Sequence, residues 1–152
     1  MAVTSSSNKF ATALASAFAS SYAFVVKAQN FHWNTESRLF YQDHLLFERI
    51  YEEVDGSIDT FAENIRKLQM KVPAGLGVLN SISAIEDCVD EDDAEGMVQE
   101  LLNDSNMLID VFRDLFDMAE AVGEHGLSNF LADRQDAFSK HSWMLRSSLK
   151  RG

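Results

Sequence analysis

Five side chains in the first half of the sequence have residue types and spacings that suit metal binding. His32 precedes His44 by 12 residues, and Glu48 follows His44 by four, so His44 and Glu48 share one face of a helix. Asp59 and Glu63 form a second pair with the same four-residue spacing. Imidazole and carboxylate ligands together suit iron, manganese or zinc, and a site with few protein ligands leaves positions open for redox chemistry on iron.

The distance between these two groups shows how they can combine. His44 and Asp59 are 15 residues apart on one predicted helix, which puts them on the same face but about 22 Å apart along the axis. A metal–ligand bond is only about 2 Å long. Two chains packed antiparallel about a two-fold axis near residues 51–52 would place His32 and His44 of one chain against Asp59 and Glu63 of the other. A two-fold interface repeats every contact, so the spacing predicts two sites per dimer.

The residues alone also allow an interpretation without metal. Asp59 and Glu63 can belong to the solvated face of an amphipathic helix, and His32 can pack beside Trp33. A di-iron centre inside a single four-helix bundle uses Glu-x-x-His pairs on two helices, and this sequence has no Glu-x-x-His. The sequence therefore predicts no centre of that intrabundle type.

Four amphipathic segments are predicted to position these side chains. Apolar residues recur at three- and four-residue steps in four stretches, which predicts four helices. The stretches cover residues 9–31, 39–70, 93–121 and 128–149. Pro73, Gly75 and Gly77 end the second helix, and a short helical turn is predicted at Ser81–Ile85. The predicted fold is all-α, a four-helix bundle with a long crossover carrying a short helix between helices 2 and 3.

Length and composition fit one domain. The chain has 152 residues, of which 46% are hydrophobic, enough to bury a core. Residues 1–7 are predicted to form a flexible tail and residues 8–152 a single domain. Asp92 or Asp93 is predicted to cap the third helix and Ser128 the fourth. A single cysteine excludes a disulfide framework and a multi-cysteine metal site.

The charge distribution argues against nucleic-acid and membrane partners. The formal net charge is −11, and between Glu86 and Glu124 there are 14 acidic residues and one basic residue, Arg113. Such a surface repels phosphate, so DNA binding is predicted to be weak or absent. The apolar stretch Ala11–Val26 is interrupted by Thr and Ser residues and lacks signal-peptide features. We therefore expect no membrane span and a cytoplasmic location.

The segment Asn30–Ile65 resembles the signature of the Dps family, the DNA-protection-during-starvation mini-ferritins. That signature combines His-Trp-Asn, Phe, His, Phe-Glu and Tyr with Asp-x-x-Ala-Glu-Arg-Ile. The matching residues here are His32-Trp33-Asn34, Phe40, His44, Phe47-Glu48, Tyr51, Asp59, Ala62-Glu63 and Ile65. Asn64 replaces the arginine, and Ser37 stands where the family usually has glycine. Weaker similarity continues through Pro73–Gly75 and Lys140–Leu145, so the resemblance covers most of the chain.

The resemblance implies a ferritin-like bundle, an assembly and a reaction. Twelve chains, built from two-fold dimers, would form a hollow shell with ferroxidase centres between subunits. His32 and His44 would come from one chain, Asp59 and Glu63 from its partner, and Glu48 would lie in or beside the centre. Fe(II) would be oxidised, by hydrogen peroxide in preference to dioxygen, and stored as Fe(III), which protects against oxidative damage. Zinc and manganese are compatible with the same ligands.

Several aromatic and histidine side chains have two possible roles. The resemblance implies that Trp33 packs against the centre and intercepts stray oxidant, and simple helix packing is the alternative. Tyr51 and Trp143 are expected to be packing residues. His125 and His141 lie outside the motif and are expected to be surface or packing residues.

Acidic side chains are candidates for further roles in a shell. By resemblance, Glu124, Asp133 and Asp136 are candidates for pores that admit iron at three-fold axes, and an exposed helical face is the alternative. Glu52 and Glu53 are candidates for nucleating mineral on the inner wall, although periodicity does not say which of them points inward.

A different class of function remains as the alternative. Many family members bind DNA through a tail rich in Lys and Arg, and this protein would then be a DNA-compacting structural protein with little ferroxidase activity. Residues 1–20 contain only one basic residue, Lys9, and the basic end Arg146, Lys150 and Arg151 is small. The charge therefore favours the mini-ferritin interpretation.

Overall fold

Four long helices and one short helix make up the described part of the chain. The structure is a computed structural model and describes residues 5–91 and 93–150. The helices are α1 (Ser5–Asn34), α2 (Phe40–Lys67), α3 (Leu76–Ile82), α4 (Ala94–Ala121) and α5 (His125–Leu149). No β-strand occurs in these residues. The predicted all-α bundle with a short helix between its second and third long helices is confirmed.

The predicted N-terminal tail, residues 1–7, is described by the structure only in part. Residues 1–4 and 151–152 lie outside the described residues. Helix α1 begins at Ser5, four residues before the predicted start at Lys9. Most of the predicted tail, 1–7, therefore falls where the structure describes nothing, and its flexibility stays a prediction.

Phenylalanine fills the centre of the bundle. Helix α1 packs against α2, α3 and α4, and α4 packs along α5. Rings from three helices meet in edge-on and stacked contacts, Phe24 with Phe138 at 5.2 Å and Phe112 with Phe138 at 5.6 Å between ring centroids. The largest fully buried aromatic side chains are Phe24, Phe31, Phe47, Phe61, Phe112 and Phe138. Because aromatic side chains bury large areas, this cluster dominates the packing that holds the long helices rigid.

The short helix lies earlier than the sequence predicted. Helix α3 covers Leu76–Ile82, whereas the helical turn was predicted at Ser81–Ile85. Gly75 precedes it at φ 148°, a conformation that favours glycine, and so the helix can start immediately. Ser83 ends it in an extended conformation, where its hydroxyl accepts a hydrogen bond from the Ile85 N–H at 2.9 Å.

Helix α5 also begins earlier than predicted. It starts at His125, so Ser128 lies inside the helix and is not its cap. Helix α4 ends at Ala121, and Gly123 follows with a φ of 77°, which suits glycine. The N–H groups of Gly123 and Glu124 bond to the carbonyls of Glu120 and Ala119, respectively. This double hydrogen bond is the Schellman motif, and it turns the chain within two residues.

The cap of α4 agrees with the sequence analysis. The Asp93 side chain accepts a hydrogen bond from the Glu95 N–H at 3.4 Å. Asp92, the alternative cap, lies outside the described residues. Helix α2 ends at Lys67 and not at the predicted Met70, and Gln69 follows with a φ of 63°.

Helix α1 is long and apolar but is a core helix of the bundle. Residues Asn8–Asn34 are long enough to cross a membrane, and an 18-residue stretch within them has mean hydropathy 1.3, with half of that stretch buried inside the protein. Lys27 in this helix is 4% exposed and reaches Glu100 and Asp104 of α4 at 3.0 and 2.6 Å. A buried, paired ammonium group and a face of core residues are features of a helix packed against protein.

A second ionic cluster joins α2 to α5. Arg134 donates two hydrogen bonds to the Glu53 carboxylate at 2.7 and 3.0 Å, and His141 Nε2 lies 2.7 Å from Glu53 Oε1. The Arg134 and His141 side chains are almost fully buried, whereas that of Glu53 is 38% exposed. Partial burial raises the pKa of Glu53, but the hydrogen bonds and charges of His141 and Arg134 outweigh this and lower it to about 2. Glu53 is thus engaged within the bundle, and its suggested role in nucleating mineral on an inner wall stays a prediction.

The Glu53 cluster generates a pH-dependent prediction. Because the pKa of Glu53 is about 2 in the folded chain and 4.5 normally, its stabilising effect is complete above pH 4.5 and fades as the pH falls towards 2. We expect Glu53→Gln to lower the free energy of unfolding by about 2 kcal/mol at pH 7, less than for a fully buried pair because Glu53 is partly exposed.

Urea titrations at pH 7 and at pH 3, at equal protein concentration, measure this difference. The loss should be smaller at pH 3, and Glu52→Gln, at an exposed neighbouring position, should show little loss at either pH. A Glu53→Gln loss that is the same at both pH values would contradict this account.

Candidate metal centre

The end of α1 and the start of α2 bring His32 and His44 together. Residues 35–39 connect the helices, and each imidazole bonds to the backbone of the other histidine. His32 Nδ1 lies 2.7 Å from the carbonyl oxygen of His44, and His44 Nδ1 lies 2.7 Å from the carbonyl oxygen of His32. A carbonyl only accepts hydrogen bonds, so both Nδ1 atoms carry the proton. Nε2 is therefore the ring nitrogen of each histidine that is left to bind a metal ion.

The two imidazoles are also held by ring contacts. They stack with centroids 3.7 Å apart and planes 15° apart. Phe40 stacks on His44 at 5.0 Å, and Tyr51 places its ring edge-on to His32 at 5.3 Å. These four residues, in the order Phe40, His44, His32 and Tyr51, form a row that we call the aromatic stack.

Stacking limits how the pair can bind metal. The lone pair of Nε2 lies in the ring plane, and a metal bond to imidazole is about 2.0–2.1 Å long. An ion in the plane of the His32 ring is too far from the parallel His44 ring to bond both. The arrangement therefore offers a separate ion position at each Nε2.

Asp59 and Glu63 lie towards the other end of α2 and contact each other. Both side chains are exposed on one helix face. The Asp59 carboxylate accepts a hydrogen bond from protonated Glu63, and this bond and the negative charge of Asp59 raise the pKa of Glu63, which Lys67 offsets only in part. Two carboxylates that repel each other in this way are relieved by a cation, so the pair is a suitable second half of a metal site.

One chain does not complete a site from these residues. Within residues 5–91 and 93–150, no three His, Cys, Asp or Glu side chains converge to hold a metal ion. The structure joins His32 to His44 and joins Asp59 to Glu63, but it leaves the two pairs apart, near opposite ends of the uninterrupted helix α2. Glu48 is half-buried one turn beyond His44.

The other predicted site residues lie at the surface of the chain. Trp33 is 67% exposed beside His32, so within the described chain it does not pack between helices. Glu124, Asp133 and Asp136 are exposed at the start of α5, which is compatible with a pore and with a solvated face alike.

Two packing predictions had different outcomes. Trp143, expected to pack, is 55% exposed, and that expectation is wrong for the single chain. Tyr51 does pack, against His32. His125 is exposed and pairs with Glu120 at 3.1 Å, while His141 is buried in the Glu53 cluster. Both histidines thus fall within the roles expected for them.

Comparison with known proteins decides the family. The family model for the ferritin-like domain matches residues 11–152. DNA protection during starvation protein 2 of Bacillus anthracis is 31% identical over 123 residues, which are 81% of this chain and 84% of that protein. The chain belongs to the Dps family of ferritin-like proteins.

Solved Dps structures share the whole fold. A Dps protein from Bacillus brevis is 28% identical and superposes with a TM-score of 0.91 over 97% of this chain and 99% of that one. Dps from Vibrio cholerae O1, described as a member of a broad superfamily of ferritin-like diiron-carboxylate proteins, is 28% identical. Its TM-score is 0.89 over 95% of this chain and 91% of that chain. The predicted ferritin-like topology and the Dps resemblance are therefore confirmed.

Proposed function

We propose that this Dps-family mini-ferritin oxidises Fe(II) at centres shared between two chains and stores the Fe(III) inside a shell. The observation that carries the proposal is the reciprocal hydrogen bonding of His32 and His44. It fixes the orientation of both rings and commits Nδ1 of each to a backbone carbonyl, which leaves Nε2 as the atom of each ring that can bind an ion. A histidine pair that served only packing would not need both Nε2 lone pairs left free.

The partner chain supplies the anionic half of the centre. About a two-fold axis near the middle of α2, His32 and His44 of one chain face Asp59 and Glu63 of the other, and the contact is repeated by symmetry. Glu48, one turn beyond His44, is placed to bind or orient the second ion. Trp33 lies exposed beside His32 on the surface that this pairing would cover. The same ligands suit zinc or manganese as competing ions.

Charge and electron balance explain the choice of ligands. Carboxylate oxygens stabilise Fe(III) more than Fe(II), so Asp59 and Glu63 favour oxidation. Two Fe(II) ions each lose one electron, the O–O bond of one hydrogen peroxide molecule accepts both, and two protons complete two water molecules. Delivering the two electrons together avoids release of a hydroxyl radical. Dioxygen is the slower alternative oxidant in this proposal.

The wider assembly completes the proposed function. Twelve chains built from two-fold dimers would enclose the mineral, and Glu124, Asp133 and Asp136 would line pores that admit Fe(II). The Bacillus anthracis relative is named for DNA protection during starvation. For this chain we propose iron storage that removes peroxide in the cytoplasm.

The first prediction of this proposal concerns the ligands. We expect His32→Ala and Asp59→Ala each to slow peroxide-dependent Fe(II) oxidation at least tenfold, since each removes a ligand. The rate is measured from Fe(III) absorbance after anaerobic loading, and sizing chromatography checks that the assembly persists. His125→Ala, at an exposed histidine outside the centre, is the matched control and should oxidise iron at the wild-type rate. Wild-type rates in both ligand variants would remove these residues from the centre.

A second prediction tests whether the centre is shared. One variant lacks both imidazoles (His32→Ala, His44→Ala) and the other lacks both carboxylates (Asp59→Ala, Glu63→Ala). Each should be inactive alone. In a co-expressed random mixture half of the dimers are mixed, and each mixed dimer has one complete centre, so about a quarter of the wild-type activity should return. No recovery in assemblies shown to contain both variants would refute a shared centre.

The third prediction concerns DNA. Twelve copies of a chain with net charge −11 sum to about −130 and repel phosphate. We expect no gel shift of linear DNA at micromolar protein and about 0.15 M salt. A shift that weakens steeply as salt rises would instead support the DNA-compacting alternative.

A further inference from the structure

The aromatic stack extends beyond the two proposed ligands. The row Phe40, His44, His32 and Tyr51 has centroid separations of 5.0, 3.7 and 5.3 Å. Both outer contacts have geometries that aromatic rings prefer, near-parallel for Phe40 and edge-on for Tyr51. Phe40 stacks on His44, and Tyr51 contacts His32 edge-on. Each imidazole therefore has one outer neighbour of its own.

The hydrogen bonds leave one degree of freedom that the outer rings can remove. The Nδ1···O bond fixes one point of each imidazole, but the ring can still tilt about the direction of that bond. The metal-binding lone pair lies in the ring plane, so a tilt moves the bound ion. The inner stack constrains the two rings relative to each other, and only an outer neighbour stops them from tilting together.

We infer that Phe40 and Tyr51 are positioning residues of the metal centre, each setting the ring plane of one histidine, Phe40 that of His44 and Tyr51 that of His32. This inference rests on the proposed function, because it assumes that the two Nε2 atoms bind ions. Neither outer ring touches the ion. Partners that orient a metal-binding histidine typically change metal affinity about 10- to 100-fold when they are removed.

The sidedness of the stack gives a test that does not depend on oxidation. Anaerobic titration with Co(II), followed by its visible absorbance, measures affinity at single positions in two backgrounds. His44→Ala keeps only the His32 position, and His32→Ala keeps only the His44 position. In the His44→Ala background Tyr51→Leu should weaken Co(II) binding about tenfold and Phe40→Leu less than about twofold. In the His32→Ala background Phe40→Leu should weaken Co(II) binding about tenfold and Tyr51→Leu less than about twofold.

Conservative variants separate positioning from loss of structure. Tyr51→Phe keeps the edge-on ring and should bind Co(II) as tightly as its parent in the His44→Ala background. Circular dichroism and sizing chromatography confirm that each variant is folded and assembled. Leucine keeps an apolar side chain at both positions, so any general loosening of the helix ends would weaken both backgrounds alike.

The outcomes distinguish this inference from the proposed function. Equal losses in both backgrounds, or no loss in either, would overturn the positioning roles while leaving the metal centre intact. Failure of the unsubstituted protein to bind Co(II) would overturn the metal centre and the positioning roles together. A loss of Co(II) affinity for Tyr51→Leu only in the His44→Ala background, and for Phe40→Leu only in the His32→Ala background, supports both the metal centre and the positioning roles.

Discussion

A rigid helix separates the two halves of the proposed centre, and this separation determines how the centre can be completed. Helix α2 has 28 residues and is about 42 Å long, with His44 near its start and Asp59 about 22 Å further along. No loop or hinge interrupts it between these residues. The chain can therefore complete the centre only by pairing with a second copy, so iron chemistry and assembly depend on one another.

The phenylalanine core holds the histidine end of that helix in place. Phe31 and Phe47 are fully buried and lie with their ring centroids 5.8 Å apart, immediately before His32 and one turn after His44. This contact fixes the end of α1 against the start of α2, so the two imidazoles meet each other's carbonyl groups. The packing of the bundle thus sets the tautomer of both rings and leaves their Nε2 atoms free.

The sequence could predict features that depend on periodicity and spacing. Apolar steps of three and four predicted the long helices, and the intervals joining His32, His44 and Asp59 predicted a centre split between chains. The sequence could not predict features that depend on local backbone geometry or on the direction of side chains. The short helix was placed too late because Gly75 and Ser83 act through local backbone geometry. The Glu53 cluster joins residues more than 80 positions apart. Of the aromatic stack, only the four-residue step from Phe40 to His44 was a visible signal.

The most direct measurement is the position of bound metal in crystals of the assembled protein soaked anaerobically with Fe(II). Anomalous scattering at the iron edge locates each ion and assigns its ligands by chain. The account predicts paired peaks at every two-fold interface, with His32 and His44 Nε2 from one chain and Asp59 and Glu63 from the other. Two results would contradict this prediction. One is iron bound only by residues of a single chain, and the other is an interface without iron in which His32 of one chain lies far from Asp59 of its partner.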